Sequence, residues 1–108
     1  HRGMSRDLAA LSDLVARVSD IYAQRHDINR DADWYLLKLQ EELGELTAEY
    51  LKLSGRCRLK DAGPAAIRGA LEDETADVLA MVLLFARDRG IDLEAALQRK
   101  WFSHLSPE

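Results

Sequence analysis

The chain has 108 residues, of which 47% are hydrophobic and 31% are charged. This composition is typical of a soluble globular domain and excludes a disordered segment. A formal net charge of -4 argues against a general DNA or RNA surface, because nucleic-acid backbones are bound by clustered lysines and arginines. No apolar run reaches the roughly 20 residues that a membrane-spanning helix needs. We therefore expect neither a nucleic-acid polymer nor a membrane as partner.

The single cysteine, Cys57, has no second thiol for an internal disulfide and no histidine at zinc-ligand spacing. This pattern fits a reducing compartment, and no signal peptide precedes the first predicted helix, so we expect a cytoplasmic protein. We interpret residues 1–3, ahead of Met4, as an expression remnant. The prediction is one domain over residues 4–108.

Apolar residues recur at helical spacing in two stretches of the N-terminal half. The first stretch predicts a helix from about Arg6 to Arg25, followed by a break from His26 to Arg30. Asp31 or Asp33 is expected to cap the second helix. Its apolar stripe consists of Leu36, Leu39, Leu43, Leu46, Tyr50 and Leu53. This helix is expected to end near Ser54-Gly55.

A basic loop from Arg56 to Gly63 is expected to lead into a third helix over about Pro64 to Arg89, ended by Gly90. The third helix is apolar on every face from Val78 to Ala86 and must be covered all round, which predicts at least a dimer. Asp92 is expected to cap a fourth helix through Trp101 and at most to Leu105, with Pro107 ending the chain. No strand signal appears, so the predicted fold class is all-α.

Two acidic pairs have the i,i+3 spacing that places both carboxylates on one helix face: Glu42 with Glu45, and Glu74 with Asp77. The second pair lies on an otherwise apolar row of the third helix, so it is expected to point inward. The first pair belongs to a charged flank, which is often only solvated surface. Inward carboxylates need partners or a metal. Four converging carboxylates without His or Cys predict a site for Mg²⁺ or Mn²⁺.

The segments Leu39–Leu46 and Glu72–Leu79, each on its own predicted helix, resemble the two halves of the motif of the MazG-like all-α nucleoside triphosphate pyrophosphohydrolases. The resemblance covers the chain from about Trp34 to Leu105. It implies a four-helix bundle that assembles as a dimer or a dimer of dimers. It also implies Mg²⁺-dependent hydrolysis of a (d)NTP to (d)NMP and pyrophosphate, as in house-cleaning of the nucleotide pool.

The resemblance also assigns roles to individual residues. Metal-ligand positions are matched by Glu42, Glu45, Glu74 and Asp77. Glu41 matches an extra catalytic acid that helps to hold a further metal or to orient the attacking water. Lys38, Arg68 and Lys100 are candidates for phosphate contacts. Trp34 is a further candidate substrate contact that is not carried over from the family. Trp34 has an ordinary alternative role in a core or interface, and the base and sugar preference stay open.

Three other functions compete with this one. The first keeps the superfamily but takes phosphoribosyl-ATP or a similar metabolite as substrate. The second, a di-iron carboxylate bundle, normally carries Glu-x-x-His pairs, whereas the pairs here end in Glu45 and Asp77. The third is a helical interaction module whose acids are only surface charge. The sequence has no apparent Ser-His or Cys-His arrangement and no glycine-rich phosphate loop, so the expected nucleophile is water.

Overall fold

The computed structural model describes residues 6–55 and 63–105, and all the regular secondary structure in that part of the chain is helical. There are four α-helices, α1 (Leu8–His26), α2 (Ala32–Leu53), α3 (Pro64–Arg89) and α4 (Leu93–Lys100), followed by a 3₁₀ helix (Phe102–Leu105). The all-α prediction is confirmed for these residues. The predicted remnant at residues 1–3, nearly all of the basic loop with Cys57, and Pro107 lie outside the described residues.

The ends of α1 follow from two aspartates. The carboxylate of Asp7 accepts a hydrogen bond from the backbone N–H of Ala10 at 2.9 Å, which satisfies one of the free donors of the first turn. Asp27 adopts a left-handed conformation (φ 54°, ψ 51°) and ends the helix, while the N–H of Ile28 donates to the carbonyl of Ala23. The predicted break after residue 25 is therefore confirmed, one residue later than expected.

The prediction that Asp33 could cap α2 is wrong. The helix begins at Ala32, so Asp33 lies in its first turn, where a negative charge interacts favourably with the helix dipole. Asp31 directly precedes the first helical residue. The C-terminal end at Leu53 agrees with the sequence, and Gly55 has the positive φ (82°) that the turn after the helix requires.

α3 and α4 begin where the sequence predicted, at Pro64 and after the capping Asp92, whose carboxylate accepts from the N–H of Ala95 at 3.0 Å. However, α4 does not continue as an α-helix through Trp101 to Leu105. The last α-helical bond runs from the N–H of Trp101 to the carbonyl of Leu97, and the N–H of His104 then donates to the carbonyl of Trp101, three residues back. The chain tightens into 3₁₀ geometry instead.

The chain divides into two compact units. One consists of His1–Ala32 with Leu83–Glu108, and its buried apolar side chains are Ala23, Leu83, Leu84 and Ala86. The other is Asp33–Val82, where Tyr35 and Ile67 are buried. The acidic residues predicted as metal ligands all belong to this second unit. The prediction of a single domain over residues 4–108 stays a prediction.

No helix in the described part of the chain is both long enough and apolar enough to cross a bilayer.

Candidate metal centre

Three of the four predicted metal ligands come together in the unit Asp33–Val82. Glu42 and Glu45 lie one turn apart on α2, and Glu74 lies on α3. Each offers one carboxylate oxygen, and these three oxygens lie within 4.8 Å of one another. The cluster thus joins two helices that are separate in sequence, as the sequence predicted.

Two oxygens of this cluster are buried without any partner. Among the residues that the structure describes, neither Glu42 Oε1 nor Glu74 Oε1 has a hydrogen-bond partner. A buried carboxylate oxygen with no donor loses its hydration and gains nothing in return, and this penalty is larger for the charged form than for the neutral acid. Either a proton or a cation must compensate. An all-oxygen donor set from three carboxylates fits a hard divalent cation such as Mg²⁺ or Mn²⁺.

The pKa values in the cluster also indicate that a proton or a cation compensates its negative charge. Burial, followed by the charges of Glu45 and Asp77, raises the pKa of Glu42 from 4.5 to about 7. Burial and the same two neighbouring charges also raise the pKa of Glu74, whose carboxyl group shares hydrogen bonds with those of Glu45 and Glu42. Near neutral pH and without metal, Glu42 therefore retains a proton in part of the molecules, whereas an isolated glutamate would have lost it. A bound cation would displace that proton, because it stabilises the charged carboxylates.

The fourth predicted ligand, Asp77, is placed differently. It lies one helical turn after Glu74 on α3, but its side chain is exposed and is not one of the three that converge. Its negative charge still acts on the cluster, since it raises the pKa of both Glu42 and Glu74. Asp77 therefore borders the cluster, and only Glu74 of this pair has the buried oxygen expected for an inward-facing acid.

Glu41, the predicted extra acid, points to a different partner. Its Oε1 lies 2.8 Å from Nζ of Lys38, and both side chains are partly exposed. The ammonium of Lys38 also lies 5.9 Å from the ring centroid of Trp34, in cation–π range, and the indole meets the Tyr35 ring edge-on. Trp34, Lys38 and Glu41 were predicted as separate site residues, but the contacts between them were not predicted. Their i,i+3 and i,i+4 spacings on one helix were the available signal.

The other two candidate phosphate contacts are not part of this group. Arg68 forms an exposed ion pair with Glu72, 3.3 Å away on the same helix. Lys100 is the last residue of α4 and belongs to the unit that contains the chain termini. Both remain predictions as substrate contacts.

A separate cavity of about 370 Å³ lies in the unit that contains α1 and α4, and none of the predicted site residues lines it. Its main charged groups already have partners. Arg87 donates to Asp13 and Ser12, and Asp92 caps α4. The carboxylate cluster, by contrast, has buried oxygens without partners, so it is the better candidate for a functional site.

Comparison of the chain with models of known protein families, with curated proteins and with solved structures gives no significant match. The functional assignment therefore depends on the residues themselves. The geometry brings together three carboxylates from two helices, a donor set that could hold a hard cation.

Proposed function

We propose that this chain is a Mg²⁺-dependent nucleoside triphosphate pyrophosphohydrolase of the MazG-like kind, which converts a (d)NTP to (d)NMP and pyrophosphate. The observation that carries the proposal is the pair of buried, partnerless oxygens on Glu42 and Glu74, contributed by the two helices that carry the two halves of the motif. A solvated acidic surface has no reason to bury such oxygens.

In this proposal Glu42, Glu45 and Glu74 hold the cation, and Asp77 completes the set from the next turn of α3. Mn²⁺ would serve in place of Mg²⁺, since both prefer carboxylate and water ligands. When bound, the metal neutralises charge on the phosphates and lowers the pKa of bound water. The protein's own contribution is to fix these carboxylates on two helices before the substrate arrives, so that little reorganisation accompanies the reaction.

The proposed reaction is a single displacement. The oxygen of a water molecule bonds to the α-phosphorus, the bond from that phosphorus to the bridging oxygen of the β-phosphate breaks, and pyrophosphate leaves. The water releases one proton, and we assign Glu41 to orient the water and accept that proton. No side-chain nucleophile is required, and no covalent enzyme intermediate forms.

We also propose that the chain works as a homodimer or a homotetramer formed as a dimer of dimers. Large apolar side chains of the unit Asp33–Val82 are exposed in the single chain: Leu43 is 50% exposed, Tyr50 52% and Leu79 49%. Leu43 and Tyr50 belong to the apolar stripe of α2, and Leu79 lies in the all-round apolar run of α3. Large apolar side chains exposed at helical spacing are typical of a helix face that a partner covers.

Two alternatives stay open and have clear tests. A phosphoribosyl-ATP pyrophosphohydrolase would use the same carboxylates on a different substrate, so it differs only in the substrate that is turned over. A non-catalytic interaction module would need no metal, because protons held by the carboxyls would compensate the buried oxygens of Glu42 and Glu74, and its thermal stability would not respond to Mg²⁺ or Mn²⁺.

The test is a substrate panel. The protein is incubated with each common and each damaged (d)NTP, and with phosphoribosyl-ATP, in the presence of Mg²⁺, and pyrophosphate and orthophosphate are assayed separately. We expect pyrophosphate from at least one (d)NTP, a large loss of turnover in Glu74→Gln, and normal turnover in the matched variant Glu72→Gln. Orthophosphate as the first product, or equal rates in the two variants, would contradict the proposal.

A further inference from the structure

Lys38 interacts with three other residues of α2, all at or beside the carboxylate cluster. Its ammonium is 5.9 Å from the ring centroid of Trp34, one turn earlier, and 2.8 Å from a carboxylate oxygen of Glu41, one turn later. Its charge also lowers the pKa of Glu42, a member of the carboxylate cluster. The side chain keeps 33% of its surface exposed, so the ammonium remains accessible to a ligand from solution.

The ion pair between Lys38 and Glu41 is weak enough for a phosphate ligand to replace Glu41. The side chain of Glu41 is 55% exposed, so water competes for its carboxylate. The same helix provides a comparison, because Glu49 pairs with Lys52 at 3.0 Å and is only 18% exposed. A partly exposed pair such as Lys38 with Glu41 contributes little to stability. A polyphosphate carries several charges and can therefore displace the single carboxylate of Glu41.

We propose that Lys38 contacts the phosphate chain of the substrate and that Glu41 is its displaceable partner, released when the phosphates take over the ammonium. Trp34 acts as a positioning residue that holds the ammonium of Lys38 over its ring, next to the cluster. This inference rests on the proposed function and deepens it. It gives Glu41 two states, paired with Lys38 in the free protein and available to the attacking water once substrate is bound.

The arrangement also discriminates between ligands by charge. A triphosphate offers more negative charge to Lys38 than a monophosphate does, so it competes better against Glu41. When pyrophosphate has left, the remaining monophosphate holds Lys38 less strongly and the pair with Glu41 re-forms. The exchange thus favours binding of the substrate and release of the nucleotide product.

The experiment uses inorganic tripolyphosphate with Mg²⁺ as a probe that carries no base, and isothermal titration calorimetry on the full chain. We expect Lys38→Gln to weaken binding about tenfold, because a charge-assisted contact is lost. Lys38→Arg should retain most of the affinity, which shows that the site is folded. The matched control Lys52→Gln, which removes an equally exposed lysine from an ion pair on the same helix, should stay within about twofold of the wild type.

Glu41→Gln tests the direction of the predicted change in affinity. It should tighten tripolyphosphate binding by about threefold, because the competing partner of Lys38 is gone. In the Lys38→Gln background the same substitution should have no effect. With nucleotide substrate, Glu41→Gln should lower both kcat and KM, a combination that a purely structural role would not produce.

The inference is overturned if Lys38→Gln binds tripolyphosphate as tightly as the wild type, if the wild type does not bind it, or if Glu41→Gln tightens binding equally in both backgrounds. These measurements require no turnover. Failure of the proposed hydrolase activity would instead appear in the substrate panel, as an absence of pyrophosphate release with every substrate. The two failures are therefore distinguishable.

Discussion

Glu42 on α2 and Glu74 on α3 bring carboxylate oxygens within 4.8 Å of each other, and each side chain also has a buried oxygen with no hydrogen-bond partner in the described part of the chain. Two carboxylates this close repel each other when both are charged, and a proton or a cation held between them removes that repulsion.

Mg²⁺ or Mn²⁺ should stabilise the folded protein, since a ligand that binds only the native state stabilises it by mass action. At a metal concentration about a hundred times Kd the gain is about 2.7 kcal/mol, which thermal unfolding with and without metal would measure. Glu74→Gln and Asp77→Asn should each lose most of this response, whereas the matched variant Glu72→Gln should keep it. Full metal response in Glu74→Gln would rule out the site.

The metal-free protein should become less stable as pH rises from about 4.5 to about 7. The pKa of Glu42 is raised to about 7 in the folded state from 4.5, so over this range the folded state binds more protons than the unfolded state. The free energy of unfolding therefore falls with rising pH and levels off above about 7. Glu42→Gln removes this titration, so its urea-unfolding free energy in EDTA should vary less with pH. An unchanged pH slope in that variant would show that Glu42 does not titrate this way.

The chain should sediment as a dimer or tetramer at micromolar concentration. Leu79 is 49% exposed in the single chain and belongs to the apolar run of α3, so Leu79→Glu should shift the population towards smaller species. Ala66→Glu provides a control, because Ala66 is also exposed on α3 but lies outside that run. A folded wild-type monomer in analytical ultracentrifugation would disprove the oligomer.

Most of the fold could be predicted from apolar spacing and capping residues. Asp92, Pro64 and Gly90 are local signals, and each marks the helix boundary that it predicted, with Gly90 in the required positive-φ conformation. The end of α4 could not be predicted in the same way. There the N–H of His104 bonds to the carbonyl of Trp101 in the i→i−3 pattern, and apolar periodicity does not distinguish such a 3₁₀ turn from one further α-helical turn.

The candidate site was predictable in part. The i,i+3 spacing places Glu74 and Asp77 on one face, yet only Glu74 enters the cluster, because the direction of each carboxylate depends on its rotamer and on the neighbouring helix. Likewise, spacing allows Lys38 to reach Trp34, Glu41 or Glu42. The structure selects contact with Trp34 and Glu41 together.

Neutral substitutions in the cluster should lower turnover by about a hundredfold or more, since metal-held charge stabilisation contributes several kcal/mol to the transition state and each 1.36 kcal/mol is about tenfold in rate. The residues concerned are the cluster members Glu42, Glu45 and Glu74, together with Asp77, which borders the cluster. Glu41→Gln should impair turnover with a smaller loss of metal affinity. Steady-state rates at saturating Mg²⁺, compared with Glu72→Gln, would measure these effects. Turnover that survives Glu42→Gln unchanged would show that the cluster is not the catalytic centre.

The most direct measurement of the central claim is hydrolysis of a substrate (d)NTP in ¹⁸O-labelled water, followed by mass spectrometry of both products. Attack of water on the α-phosphorus places the label in the nucleoside monophosphate and leaves the pyrophosphate unlabelled, with the two products formed in equal amounts. That is the result we predict. Label in the pyrophosphate, or orthophosphate as the first product, would contradict the proposed reaction.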